Sequence, residues 1–459
     1  MSENMNMTTG KPMRLLVRFA LPLMFANVFQ QLYSVVDTTI VARGVGLTAL
    51  AALGTIDWLN WMIISVAQGY TQGFSVRISQ SFGRGDIAGL KKLMGQSARL
   101  SAIIAFVGLV LCQLLLPLFL FVLRVPEELT GMASTYLRII TAGFPAVVFF
   151  NYCSSVLRAI GNSKTPLIAM IIASLTNIVL DILAVFWLGW GIAGAAAATV
   201  TAQCLSGLIC AVKIKHTKEL HFDRSDLKAD KALSKDLIGL GTPIALKNII
   251  VAVGGMVVQA VVNGFDMSFI AGYTATNKLF GILEIAAISY GYAITTYVGQ
   301  NFGAKQSERI RKGIRSAILL SIITSLGIAA IMIIFGRQIT MLFISSEDMQ
   351  LVAAAGNIAY RYLCVLSFCL PLLYVLFVYL SAIQGLGEGV MAMNAGVMEL
   401  IVRVIVSFLV ALLGGTEAIY AAEVLAWVGS TSYLMYHYYR LSKHDFNHKE
   451  AYHGKRTDA

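Results

Sequence analysis

Two aspartates stand in runs otherwise suited to hydrocarbon: Asp37 in FQQLYSVVDTTIV and Asp181 in TNIVLD. On a helix, Asn27, Gln30, Tyr33 or Ser34, and Asp37 recur every three or four residues and form one polar face. Ser174, Asn177 and Asp181 do the same, with Met170 one turn earlier. Insertion scales charge roughly 2.5 to 3.5 kcal/mol for an aspartate at the centre of a bilayer, and such residues face cavities and mark ion or proton pathways. Two carboxylates in a poorly solvated pocket disfavour double ionisation. Such a pair is suited to taking up and releasing a proton. With the Asn177 carbonyl and the Thr199 hydroxyl, Asp37 and Asp181 also offer hard oxygens to Na⁺.

These groups need helices to bring them to one level. The chain is 57% hydrophobic and 13% charged, with a mean hydropathy of +0.74. Soluble domains carry about 25% charged residues, so the sequence reads as an all-α integral membrane protein. Apolar runs long enough to span fall near 15–41, 49–76, 98–123, 135–158, 166–188, 191–212, 237–263, 269–298, 316–335, 357–384, 390–413 and 416–438, about twelve in all. The first run continues for a full span, so no cleavable signal peptide is expected. The net charge of +11 gathers in alternate loops, among them Arg77 to Arg99, Lys213 to Lys235, Lys305 to Arg315 and the tail from Arg440. That alternation is the positive-inside pattern. It places both termini in the cytoplasm and makes the basic excess a topology signal, with no nucleic-acid partner. At the helical rise per residue, Asp37, Asp181 and Thr199 lie roughly 7, 10 and 12 Å from the outer face, and Tyr136 opens the fourth span there.

The longest polar interior segment, near 213–236, divides the spans six and six: an amino-terminal lobe over 1–212, a cytoplasmic linker, a carboxy-terminal lobe over 237–439 and a tail over 440–459. The halves echo each other. Pro22 and Asn27 match Pro243 and Asn248; QSFGRGD matches QNFGAKQ; Tyr136 and Pro145 match Tyr362 and Pro371; AIGN at Ala159 matches AIQG at Ala382. Two repeats of six spans each share one orientation, which is the design of transporters that rock one half against the other. Pro22 is expected to bend its helix. The second half is expected to set Glu399 and Arg403, an i, i+4 pair, where the first has Asn177 and Asp181. Lys247 and Glu284 add intramembrane charges without an evident partner, whereas Asp57 and Glu423 read as near-interface residues.

The opening LPLMFANVFQQLYSVVDTTIVARG, the span ends QSFGRGD and QNFGAKQ, NIVLD and GIAGAAAATV together resemble the multidrug and toxic compound extrusion (MATE) transporters over nearly the whole chain. The resemblance implies two six-helix bundles in a V and export of amphiphilic, often cationic drugs in exchange for H⁺ or Na⁺. It is nearest to the DinF-like branch, which couples through the amino-terminal lobe. It then implies that Asp37, Tyr136, Asn177, Asp181 and Thr199 form the cation site, and that Gln30, Tyr33, Asn151 and Met170 line the substrate cavity. The seventh and tenth spans lack the acids that the NorM-like branch uses. A lipid-linked oligosaccharide flippase of the same superfamily is the alternative, kept open by Lys247 and Arg403. No enzyme is expected, because all six histidines fall outside the spans' interior and the six cysteines show no metal-ligand spacing with them. The expected partners are small organic substrates and membrane lipids. No cofactor beyond the coupling ion is expected, and the protein should act as a monomer in a bacterial inner membrane.

Overall fold

The computed structural model describes residues 5–123, 125–223, 225–341, 343–344, 349–413, 419–443 and 446, and among these there is no strand. Helices satisfy the backbone within one segment, which is what a bilayer demands of an open chain. The amino half folds as α1 (Pro12–Gly44), α2 (Leu47–Arg84), α3 (Ile87–Val122), α4 (Glu127–Ala142), α5 (Phe144–Ala159), α6 (Lys164–Ile182) and α7 (Gly191–Lys215). The carboxy half folds as α8 (Lys231–Val262), α9 (Met267–Gly303), α10 (Ser307–Met341), α11 (Met349–Gly385), α12 (Gly389–Leu413) and α13 (Tyr420–Lys443). Ten helices are each long and apolar enough to cross a membrane, and α4 with α5, bent by 44°, makes an eleventh. α13, less apolar because of its tyrosines and Glu423, stands where the twelfth span was expected. Arg124, Glu417 and most of the 440–459 tail lie outside the described residues. Outward faces such as Phe106, Leu114 and Phe121 of α3 are exposed and apolar, as contact with acyl chains requires.

The repeat shows in the turns. Gly85 ends α2 at φ +76°, its N–H reaching Phe82 O and that of Asp86 reaching Ser81 O at 3.2 Å. This is a left-handed helix terminus, which glycine adopts without strain. Asp86 then caps α3, accepting from Gly89 N at 2.8 Å. After α9, Lys305 N–H reaches Phe302 O and Gln306 N–H reaches Asn301 O, with Lys305 at φ +56° in glycine's place. The second pair of turns corrects the expected register. Gly161 (φ +89°) is the structural counterpart of Gly387 (φ +88°), since Asn162 N–H bonds Leu157 O as Glu388 N–H bonds Ile383 O. AIGN therefore matches Gly385–Glu388, at the offset that relates Tyr136 to Tyr362. That offset sets Arg403 opposite Asn177 and Ser407 opposite Asp181. Pro145 and Pro371 also differ in setting: Pro145 lies in the first turn of α5, past the bend, while Pro371 lies inside the continuous α11.

The chain packs as two units, one holding residues up to Met7 with Leu21–Ala245, the other Thr8–Ala20 with Leu246 onward. α1 and α8 are thus each shared, and each is divided within three residues of its proline, Pro22 or Pro243. In the first unit, α2 crosses α8 closely. A Cβ on Gly73 would lie 2.5 Å from Gly241 Cα, and one on Gly69 2.4 Å from Ala245 Cα. Beyond the crossing, Arg77 grips Asp236 with Nε and Nη2, both at 2.7 Å. In the second unit, Tyr273 of α9, Tyr362 of α11 and Tyr420 of α13 stack, with centroids 5.0 and 4.7 Å apart.

Candidate functional site

Two close contacts within the first unit, and a turn of π-helix, assemble the polar groups. Immediately after Asp181, α6 widens into one π-helical turn, Leu183–Trp187, in which Leu188 N–H reaches back to Leu183 O at 2.9 Å. Such turns recur at functional sites. Its Val185 packs on the end of α1, where a Cβ on Gly44 would lie 2.3 Å from Val185 Cγ1. That contact holds the Asp37 end of α1 against α6. At the α4–α5 bend, a Cβ on Gly143 would lie 2.3 Å from Val200 Cγ2, which seats Tyr136's helix against the Thr199 segment of α7. The sequence suggested the two polar faces but neither the π turn nor the bend.

Asp37 of α1 and Asp181 of α6 bring their carboxyl groups within hydrogen-bonding reach of each other. Asp181 is fully buried and Asp37 half-buried. Neither Asp181 oxygen, nor Asp37 Oδ1, nor either polar atom of Asn177 finds a protein donor or acceptor among the described residues. Two carboxylates have no proton to share; such a contact becomes a bond only when one is protonated or a cation lies between them. Like charges about 4 Å apart, at an effective dielectric near 20, repel by about 4 kcal/mol. The hydroxyls of Tyr33 and of the buried Tyr136 stand within electrostatic range of both aspartates, and Asp57 of α2 also reaches Tyr136. Asp57 was expected to need no account; it belongs to the surroundings of the pair.

Beside the pair lies a narrow cavity lined in part by Tyr33, Met170, Asn177, Thr199 and Gln203. It leaves about 10 Å³ for the centre of a water-sized particle, which is the room one water needs. A drug-sized molecule does not fit it in this state. Tyr33 and Met170 line the same space as Asn177 and Thr199, so half of the expected substrate set shares its cavity with the expected ion set. Gln30 and Asn151 do not line it, and Asn151 spends its amide on Val147 O at 2.9 Å. Thr199 Oγ1 donates to Ala195 O at 3.1 Å, which leaves its lone pairs free to accept. Gln203, one turn beyond Thr199 on the same face, has a buried Oε1 without a donor among the described residues and was not anticipated. Among the described residues no three His, Cys, Asp or Glu side chains gather as a metal site. The available oxygens are those of two carboxylates, an amide and a hydroxyl, a hard set that fits Na⁺ in type.

In the second unit, Arg403 Nη2 lies 2.7 Å from Glu423 Oε2 and 3.5 Å from Glu399 Oε2. The expected i, i+4 pair is therefore one arm of a triad, and its shorter arm goes to a residue read from sequence as near-interface.

Residues 22–183 and 243–409 match the MatE family model, one segment in each half. The chain belongs to the MatE family. Among its MatE relatives, it is 28% identical over 343 residues to the probable multidrug resistance protein YoeA of Bacillus subtilis, covering 73% of this chain and 74% of that one. It is 28% identical over 387 residues to the probable multidrug resistance protein YpnP of the same organism, covering 83% and 84%. The solved structure of a MOP superfamily transporter from Pyrococcus furiosus superposes with a TM-score of 0.89 at 23% identity, over 95% of this chain and 97% of that one. This is agreement in fold. MatE proteins are membrane transporters, not enzymes.

Proposed function

We propose that this MatE protein is a secondary active exporter of small amphiphilic, cationic organic compounds, driven by exchange for H⁺ or Na⁺ at the Asp37–Asp181 pair. The observation that carries the reading is the juxtaposition itself: two carboxyls from different helices, with buried oxygens lacking donors among the described residues, beside a cavity for one small particle. Repulsion of about 4 kcal/mol between two bare carboxylates makes the pair bind a cation whenever it is closed off from water. Opening to water on the other side weakens that repulsion and releases the cation. Asn177 and Thr199 supply neutral oxygens toward the same space, and the Tyr33 and Tyr136 hydroxyls stand ready to bond whichever carboxyl is ionised. The relatives named for multidrug resistance support the substrate class. The positive-inside pattern supports cytoplasmic termini in a bacterial inner membrane. For a lipid-linked pyrophosphate, the flippase alternative would call on Lys247 and Arg403 together, but the Arg403 guanidinium is occupied by two carboxylates.

The test is uptake of a fluorescent cation, ethidium, into proteoliposomes under an imposed pH gradient and separately under an imposed Na⁺ gradient. Asp37→Asn and Asp181→Asn are each expected to reduce driven uptake to the empty-liposome level while the protein remains monodisperse. Wild-type rates in both variants would overturn the assignment. Whichever gradient drives the wild type identifies the ion.

A further inference from the structure

Within the first unit, the connection between α7 and α8 is tied down onto α3. Leu220, 1% exposed, and Phe222 pack into an apolar cluster with Leu90 and Met94 of α3 and Tyr152 of α5. Gln96 of α3, 2% exposed, spends its amide on the connection. Its Nε2 donates to Asp226 O at 3.0 Å and to Lys228 O, and its Oε1 accepts from Asp230 N at 3.3 Å and from Ser234 Oγ at 3.4 Å. Gly95 lets the chain come this near, since a Cβ there would lie 2.4 Å from Asp226 O. Around this tie lies a cavity of about 400 Å³, lined among others by Lys92 of α3, Ser225, Asp226, Lys228, Asp230 and Lys231.

Among the described residues no carboxylate pairs with Lys92, Lys228 or Lys231, and all three are exposed. The two acids of the cavity are already engaged. Asp230 Oδ1 caps α8, accepting from Leu233 N at 3.0 Å, and Asp226 Oδ2 accepts from Asp223 N at 2.9 Å. Three ammonium groups against two engaged carboxylates leave the cavity cationic. Its volume falls in the range of small-molecule sites, which is more than a bare ion fills. Its level in the membrane points to what carries the anion. Lys92 stands six residues before Ala98, where the apolar run of α3 begins, about 9 Å outside the hydrocarbon at the helical rise. Headgroups occupy about 5 to 8 Å beyond the hydrocarbon on each side of a bilayer, within reach of a lysine side chain. Leu227, 39% exposed in the same connection, adds an apolar surface that a lipid can cover and a soluble phosphate cannot. We propose that the folded connection is a binding site for the phosphodiester of an anionic membrane lipid, held by Lys92, Lys228 and Lys231, with Gln96 as the positioning residue. The inference does not rest on the Asp37–Asp181 pair or on export being the activity.

The test is native mass spectrometry of the delipidated full chain in detergent, titrated with phosphatidylglycerol or with phosphatidylcholine, which counts the bound lipid. The wild type is expected to take up one phosphatidylglycerol more tightly than phosphatidylcholine. A basic side chain beside an anionic headgroup contributes about fivefold in binding. Lys92→Gln, Lys228→Gln and Lys231→Gln together should therefore weaken that uptake by roughly a hundredfold. The same charge removed from the other half, by Lys305→Gln, Lys312→Gln and Lys443→Gln together, should leave it unchanged. Gln96→Leu keeps every lysine but releases the connection, and should erase the preference for phosphatidylglycerol. The ratio of the two lipids' affinities is the readout there, because misfolding would lower both. Asp37→Asn should bind lipid as the wild type does, so a failure of the export reading is told apart from a failure of this one. Wild-type uptake in the first triple variant, or equal weakening in both, would overturn the proposal. So would displacement of the lipid by an equal concentration of inorganic phosphate, which would make the ligand a soluble anion.

Discussion

Glu423 and Glu399 both face Arg403, yet they do not hold it equally. Glu423 accepts two guanidinium nitrogens on one oxygen, while Glu399 offers a single 3.5 Å contact. Removing one partner of a buried ion pair costs about 3 to 5 kcal/mol, because the other charge is left uncompensated. Arg403→Met leaves two such carboxylates and should lower the thermal unfolding midpoint in detergent most. Glu423→Gln should lower it less, and Glu399→Gln least of the three. Equal shifts for the two glutamine variants would contradict this ranking. These partners differ in how far the sequence disclosed them. Asp37 and Asp181 announce themselves because each ends a polar stripe of helical period on its own helix. Glu399 and Arg403 are likewise visible as a spacing. Glu423 is not, since it meets Arg403 from the next helix and no periodicity runs through a connection. Gln203 was legible in principle, standing four residues after Thr199, but a single amide in an alanine-rich helix carries little signal.

Between the halves, the same helix terminus is built with different residues. Gly85 and Lys305 both sit in the left-handed region after matching hydrogen bonds, and there a side chain costs roughly 1 to 2 kcal/mol. Lys305→Gly should therefore stabilise the protein by about 1 kcal/mol and Gly85→Ala destabilise it similarly, both measured as shifts in thermal unfolding. The start of α9 gives a second expectation. Asp266 caps it, accepting from the Ser268 hydroxyl and from Phe269 N at 3.2 Å, and these bonds hold its carboxyl below the usual carboxylate range, the Ser268 contact counting most. A folded value below the unfolded one means that the cap's stabilisation is present above the unfolded pKa, about 3.9, and lost as pH falls through the folded value. The protection of the amides in the first turn of α9, relative to their intrinsic exchange rate at the same pH, should fall at such acid pH, and Asp266→Ala should give the same loss of protection at neutral pH. The motifs QSFGRGD and QNFGAKQ showed where these helices end, because glycine and capping residues act locally. The 44° bend at Gly143 and the π turn after Asp181 were hidden, since both are set by what packs against them: Val200 in one case and the end of α1 in the other.

At the scale of the molecule, the two prolines the repeat brought forward mark where helices change company. α1 passes from one compact unit to the other between Ala20 and Leu21, and α8 between Ala245 and Leu246, beside Pro22 and Pro243. A proline removes the N–H that would bond the carbonyl four residues back and clashes with it, so Arg18 O and Gly239 O lose their helical partners. Bending there breaks no bond that the helix would otherwise keep. If one half moves against the other during transport, as a parallel repeat implies, these are the points where α1 and α8 can follow both. Alanine restores the missing bond and makes each bend cost about what an intramolecular hydrogen bond contributes, roughly 1 kcal/mol, a slowing of several-fold if the bend forms in the rate-limiting step. Pro22→Ala and Pro243→Ala are each expected to slow driven ethidium uptake by that factor while leaving equilibrium ethidium binding unchanged, since neither proline lines the cavity beside the aspartates. Slowing by Pro22→Ala alone would confine the moving bend to α1; wild-type turnover in both would show that the prolines are fixed kinks and that the halves move about some other point.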